Sequence, residues 1–381
     1  MARETLTISR NVLAWAHARS GYSLDELKES FKNFDEWLDG TSFPTYPQLE
    51  QLADKLKLPI AVFFFPEPPK LPPIRESFRT LPDAEFDAIP RGVLRMLRKA
   101  KAMQLNLAEL NDGKNPVANL ITHQITASPK DPDEKLAEQV RAFLNVPLEV
   151  QQKWPDTETA LDNWRKAITD AGVFVFKDAF REDGFAGFCL YDDQFPIIYV
   201  NNSAPKTRQI FTLFHELAHL IFQTSGIDTE TNSYVDHLAG DAKMVEVICN
   251  RFAGRFLVPQ NSLAAALKGK PHNRETAAEL ARLFHVSREV IYRMLLDAGL
   301  VAQTEYESAA KEWREQAQAG SAGSGGDFYN TQLAYLGNDY VRLAFSRYYQ
   351  NRIDDLQLAE YLNIAPKNLP TLEARFSGRK A

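Results

Sequence analysis

Apolar and polar positions along this chain change period twice. Near the start, Ile8, Val12 and Trp15 fall on a helical stripe. Ser23-Leu24-Asp25-Glu26 offers a serine N-cap with a carboxylate at N3, and Pro47 opens a later helix through Leu49, Leu52 and Ala53. Residues 1–70 are therefore expected to form a small unit of short helices. The run Ile60–Phe65, ahead of Pro66-Glu67-Pro68-Pro69, suits either a strand or an apolar plug that closes this unit. The prolines through Pro73 read as a semi-rigid connector, and residues 71–170 as a helical linker region that packs on the core. From Gly172 the period drops to two, with β-branched and aromatic residues. Val173–Phe176, Phe185–Tyr191 and Ile197–Val200 read as strands, with turns at Arg181–Gly184 and Asp192–Gln194. The helical period returns near Ser203-Ala204-Pro205, where serine can cap and proline is accepted in the first turn. Phe214, Leu217, Ala218 and Ile221 mark one stripe, and Val245, Ile248, Cys249, Phe252, Ala253 and Phe256 mark another. Residues 274–300 repeat a helix-turn-helix pattern about His285-Val286-Ser287, for which plain packing is the expected role in the absence of a basic recognition face. Residues 316–326 are a Gly/Ser/Ala-rich linker, flexible by composition. Phe328–Tyr349, Leu356–Leu362 and Ala365–Phe376 then read as three helices of a C-terminal unit, residues 327–381. The pattern predicts an α+β protein, with a small antiparallel or mixed sheet packed on a helix and mainly helical units on either side.

Composition narrows the class. A chain of 381 residues, 44 % hydrophobic, can bury a core and has length for two or three domains. Cys189 and Cys249 are too few for a disulfide framework and read as small buried apolar residues. There is no apolar run of 18 residues and no signal-like segment, so the expected setting is the cytoplasm, without a membrane partner. A net charge of −6 argues against a nonspecific nucleic-acid coat. In the first unit, Asp25, Glu26, Glu29, Asp35, Glu36 and Asp39 face only Lys28 and Lys32, which disfavours specific DNA binding through it. The basic run Arg91, Arg95, Arg98, Lys99 and Lys101 reads as a solvated helix face, with a binding surface for an acidic partner or nucleic acid as the alternative.

The candidate chemistry lies in the first stripe after the strands. His215-Glu216-Leu217-Ala218-His219 is an H-E-x-x-H pattern, and residues four apart on a helix share a face about 6 Å apart along the axis. His215 and His219 can thus aim two imidazoles at one ion. Glu216, about 100° round the helix, is close enough to accept a proton from water without ligating. The opposite stripe is expected to be core, which gives the helix one buried and one chemical face. Glu246 borders the second stripe, with Asn250 one turn on. A carboxylate in that position alone reads as solvated, but beside H-E-x-x-H it becomes a candidate third ligand. Between the two helices, Tyr234, Asp236 and His237 lie in a polar loop. Tyr234 and His237 are candidates for polarising a substrate carbonyl or orienting a ligand imidazole. His17, His123, His272 and His285 have no metal-like spacing.

The stretch from Pro196 to Pro259 resembles the ImmA/IrrE metallopeptidases. The resemblance rests on Ile197-Ile198-Tyr199-Val200-Asn201-Asn202, on Phe211–His219, on Glu246-x-x-Cys249-Asn250-x-Phe252-Ala253 and on Leu257-Val258-Pro259. Cys249 stands where that family usually has Ala, and Phe256-Leu257-Val258-Pro259 replaces a commoner Leu-Leu-Met-Pro; both changes are small and apolar. The resemblance implies a zincin-like peptidase core, set here at residues 171–315 with its following helical bundle, in which Zn2+ is held by His215, His219 and Glu246 and Glu216 is the general base. The first unit is similar to the phage-repressor-type helix-turn-helix domain that precedes the peptidase in many members. Asp327–Gln332 and Ala365–Leu369 are similar to segments of the long members. The activity implied is a zinc endopeptidase cleaving a specific regulatory protein such as a transcriptional repressor. The alternatives are an antitoxin or regulatory binding protein that neutralises a partner toxin on a peptidase scaffold, and a DNA-binding transcriptional regulator.

Overall fold

The computed structural model describes residues 5–20, 22–56, 58, 60–69, 89–128, 133–180, 182, 184–229, 240–319 and 326–378. The chain divides into two compact units, Met1–Pro73 and Ile74–Ala381.

The first unit holds α1 (Arg10–Ser20), α2 (Leu24–Ser30), α3 (Phe34–Asp39) and α4 (Tyr46–Leu56) around Leu13, Leu27, Phe34, Trp37, Leu49 and Leu52. The Ser23 cap forms as the sequence predicts. Its hydroxyl accepts from the Glu26 amide at 3.3 Å, while the Glu26 carboxylate accepts from the Ser23 amide at 2.7 Å. Ile60–Phe64 is a 3-10 turn rather than a strand. It plugs the unit with the fully buried Phe63, whose carbonyl accepts from the Ser9 amide at 2.9 Å.

The second unit is built on a four-stranded mixed sheet of order β1-β3-β2-β4, from β1 (Phe174–Asp178), β2 (Phe185–Leu190), β3 (Ile197–Asn201) and β4 (Ile227–Thr229). β1 runs parallel to β3, with Phe174 opposite Ile197 and Phe176 opposite Tyr199, while β2 is antiparallel to both β3 and β4. β4 was not legible as a strand in the sequence. It has three residues at the start of a polar segment, and its register on β2 shifts between Phe185 and Gly187.

Helices cover both faces of the sheet, which is why all five residues of β3 are buried. Val175, Cys189, Ile198 and Val200 point to one face. There they meet α6 (Asp133–Leu144), α7 (Thr157–Asp170), α8 (Lys206–Ile221) and α9 (Gly240–Leu257), where α5 (Arg91–Leu110) belongs to the opposite layer. Phe176, Phe188, Ile197 and Tyr199 alternate to that other face and pack on α5 and on the C-terminal helices α14 (Phe328–Leu336), α15 (Asn338–Tyr349), α16 (Asp355–Tyr361) and α17 (Leu369–Ser377). Between these layers in the chain come α10 (Gln260–Leu267), α11 (Arg274–Phe284), α12 (Arg288–Asp297) and α13 (Gln303–Ala319), which extend the first core.

Polar side chains fasten the layers at backbone groups that lack a helix or sheet partner. Gln104 of α5 donates to the carbonyls of Leu190 and Phe195, and Gln151 to those of Leu257 and Phe284. Arg165 of α7 donates to Val175 on β1 and to Ala334 and Tyr335 at the end of α14. The stretch Phe328–Tyr349 is two helices, not the single one expected, because Gly337 adopts φ 87° and an added Cβ there would sit 2.9 Å from the Arg165 guanidinium. In α5 the basic run is a helix face, with Lys99 paired to Asp178 at 2.5 Å. Among the described residues no helix is long and apolar enough to cross a membrane.

Candidate metal centre

The metal-binding pattern sits on α8, and its position follows from an aromatic column. Trp164 of α7 meets Phe214 of α8 edge-on at 4.8 Å, and Phe214 stacks on Phe256 of α9 at 4.1 Å. Truncating one such fully buried aromatic typically costs about 3–5 kcal/mol, so the column fixes α8 against α9 firmly. α8 begins after Pro205 without the expected Ser203 side-chain cap. Instead Gln209 turns back to donate to the carbonyls of Asn202 and Ala204. Nor has the helix one buried and one chemical face. From Ile210 to Ile221 every residue but Phe211 is buried, since the sheet, α7 and α9 surround it. The chemical groups are interior groups.

His215, His219 and Glu246 converge there. The two Nε2 atoms are 3.2 Å apart, and the Glu246 carboxylate oxygens lie 3.3 Å from His215 Nε2 and 3.2 Å from His219 Nε2. Among the described residues these three form the group able to hold a metal ion. Two tetrahedral bonds of about 2.05 Å to zinc hold their donor atoms about 3.3 Å apart, which matches this spacing. The far ring nitrogens are also engaged. His215 Nδ1 donates to Asn250 Oδ1 at 3.1 Å, and His219 Nδ1 to Thr224 Oγ1 at 3.3 Å, the tautomers being assigned from these partners. Both Nε2 lone pairs are thereby aimed at the common point. Gly226 allows this packing, because a Cβ there would lie 2.6 Å from the His219 ring.

Glu216 is fully buried, and neither carboxylate oxygen accepts a hydrogen bond from an N–H or O–H group, the weakly donating Cys189 thiol being its neighbour. A buried orphan carboxylate is costly, and one adjacent to two imidazoles and a second carboxylate calls for a cation or a polar reactant to face. The residues present therefore fit a zinc ion, with nitrogen, nitrogen and oxygen donors and a free carboxylate beside them. Burial raises the Glu216 pKa, against the pull of His215 and His219. Burial also opposes charge on His215, but Asp228, Glu246 and Glu216 outweigh it and bring its pKa up to about 9, so that a metal ion binding near neutral pH would displace a proton from Nε2. For Glu246 burial opposes ionisation, yet the two histidines hold its carboxyl well below the usual carboxylate range. Cys189 and Cys249 are buried as the sequence suggests, and burial, joined by Glu216 at Cys189 and by Glu246 and then Glu216 at Cys249, lifts both thiols well above the ordinary range.

Asp228 of β4 escaped sequence reasoning. Its buried carboxylate accepts from the Thr212 hydroxyl at 2.7 Å and pairs with Arg208 at 2.6 Å, tying the edge strand to α8 one turn before His215. Thr224 was missed likewise. Only the returning chain brings either residue to the histidines, so no local spacing marks them. Tyr234, Asp236 and His237 lie outside the described residues.

Residues 169–296 match the family described as IrrE N-terminal-like domain. The Radiation response metalloprotease IrrE of Deinococcus radiodurans is 31 % identical over 99 residues, which are 26 % of this chain and 30 % of that protein. The Radiation response metalloprotease IrrE of Deinococcus deserti is 29 % identical over 120 residues, 31 % of this chain and 40 % of that one. The chain thus spans 30–40 % of the length of the curated relatives it matches.

Proposed function

We propose that this protein is a zinc-dependent endopeptidase that cleaves one regulatory protein, a transcriptional repressor, at a site made by His215, His219, Glu246 and Glu216. The observation that carries the reading is the buried two-histidine, one-carboxylate donor set beside the unpartnered Glu216. The metalloprotease name of the matched relatives supports it. His215, His219 and Glu246 would hold the ion, and Asn250 and Thr224 keep the imidazoles in the ligating tautomer. When bound, zinc supplies a Lewis acid for the scissile carbonyl and makes water acidic enough to deprotonate near neutral pH. Glu216 accepts the proton of the attacking water and returns it to the leaving amine, so that water adds across the peptide bond with no net change at the site. The raised pKa of a buried carboxyl suits that alternation. β4 pairs with β2 on one side, and its other edge would take an extended substrate by strand addition. Tyr234 or His237 is the proposed group that polarises the carbonyl.

The test is to incubate the zinc-loaded protein with candidate repressors from the products of genes neighbouring its own. Glu216→Gln should keep near-stoichiometric zinc and lose roughly 10²–10⁴-fold in cleavage rate, whereas His219→Ala should lose the metal itself. Equal cleavage by wild type and Glu216→Gln would remove Glu216 from its role.

A further inference from the structure

A groove of about 2330 Å³ opens beside the metal centre, walled by the first turns of α8 and one side of α9 on one flank and by α10 to α13 on the other. It reaches the site. Asn250, which holds His215, lines it, as does Phe211, one turn before His215. Its charge opposes that of the chain. Ten Lys and Arg side chains line it against two carboxylates, Glu289 and Asp297, although the whole protein carries −6. Six of the ten are answered by carboxylates in or beside the groove: Arg208 by Asp228, Arg251 by Asp133, Arg255 by Asp133 and Glu134, Lys270 by Glu279, Arg293 by Asp297 and Arg314 by Glu289. Lys268, Arg282 and Arg288 have no carboxylate within ion-pair distance among the described residues. Lys268 and Arg282 are exposed, and Arg288 lies 5.0 Å over the Trp313 ring and donates to the Gln316 amide oxygen, both neutral partners. The same walls are apolar between the cations, through residues such as Phe211, Val247 and Met294.

We infer that this groove docks an acidic, extended segment of the protein substrate and leads it to the metal centre. The inference rests on the peptidase reading for the word substrate, but not for the binding. Charge selects the occupant, because Lys268, Arg282 and Arg288 gain partners that the fold withholds from them. Shape and apolarity then separate a polypeptide from a nucleic acid. A helix that reads duplex DNA must enter a major groove about 12 Å wide, whereas α12, the second helix of the helix-turn-helix pattern, forms a wall of the cleft. Phosphates find no match in Phe211, Val247 and Met294, while a peptide of alternating acidic and apolar side chains matches both features of the walls.

The experiment measures fluorescence anisotropy of a labelled peptide of alternating glutamate and leucine, added to the full chain with and without chelator. A lysine–leucine peptide of equal length and a duplex DNA are the comparisons. The acidic peptide should bind in both metal states, weaken with salt, and lose roughly tenfold or more on Lys268→Glu/Arg282→Glu/Arg288→Glu. Since three reversals on one bundle can unfold it, Lys268→Gln/Arg282→Gln is measured beside it, with folding followed by circular dichroism. That pair should cost several-fold. Unchanged affinity in the folded glutamine variant, equal binding of the lysine peptide, or displacement of the acidic peptide by duplex DNA would each overturn the proposal. Peptide binding that persists while Glu216→Gln cleaves normally would sink the Glu216 mechanism and leave the groove standing; the reverse pattern would do the opposite.

Discussion

Gly226 shows how much of the centre depends on one missing methyl group. A Cβ there would meet three atoms of the His219 ring at 2.6–2.8 Å, nearer than carbon atoms pack. Gly226→Ala should therefore swing the imidazole off the common point and weaken zinc binding roughly 10–100-fold, as loss of a ligand's orienting partner does, with the circular dichroism spectrum kept. Competition with a chromophoric chelator would measure this, and unchanged affinity would mean the ring tolerates the shift. The histidine pair itself was legible because i, i+4 spacing needs no tertiary information, and Glu246 only because that pair stood beside it, since a carboxylate bordering an apolar stripe reads by itself as solvated. Gly226 was not, since its constraint comes from a ring packed against it by the fold. Lys177 is a second such residue. It is 6 % exposed on β1, and burial, then Arg165 and Lys206, lower its pKa from 10.5 to about 8. The folded protein therefore binds fewer protons than the unfolded chain between those values, so this lysine makes stability rise with pH across that window. Lys177→Met should stabilise the protein at pH 7 by about 1–3 kcal/mol, with the gain fading as pH approaches 10.5. Urea unfolding of both proteins at the two pH values checks it, and a gain that does not fade would assign the effect to packing.

At the scale of elements, legibility followed length and period. α8 and α9 announce themselves over four turns, and β1 to β3 alternate cleanly, so the α+β class and the place of the sheet before the metal helix were readable. β4 has no room to alternate; Asp228 ties it to α8, and its one apolar residue, Ile227, is buried against the sheet's other core. Asp228→Ala should leave the Thr212 hydroxyl and the Arg208 guanidinium without that partner and cost about 3 kcal/mol, the usual result of removing one side of a buried charged pair. Hydrogen exchange should quicken at Ile227–Thr229 before it does in β3. Uniform loss of protection would show that β4 has no separate stability. The break at Gly337 was hidden for another reason. The run Phe328–Tyr349 is apolar enough for one helix, and a lone glycine is compatible with a helix interior, but Arg165 arrives from α7 and bonds the carbonyls that end α14.

The whole molecule hides what averages conceal. A net charge of −6 gives no sign that ten cations line one groove, with Lys268, Arg282 and Arg288 among them beyond ion-pair distance of any carboxylate among the described residues. Nor does composition tell that the helices after residue 326 share a core with β1, β2 and β3. A chain stopped at residue 326 should bare Phe176, Phe188 and Tyr199 while keeping every described residue of the metal centre. It is expected to bind a hydrophobic dye strongly and to aggregate on warming, and a monomeric, dye-silent fragment would show that α5 alone closes the face. The order of synthesis gives that aromatic face a further consequence. The helices that bury it leave the ribosome after both ligand-bearing helices, and at about 5–20 residues per second the interval is several seconds. During that time a nascent chain can gather His215, His219 and Glu246 while one side of its sheet is covered by α5 alone. A holding chaperone acting on that side would then raise the amount of finished protein a cell obtains.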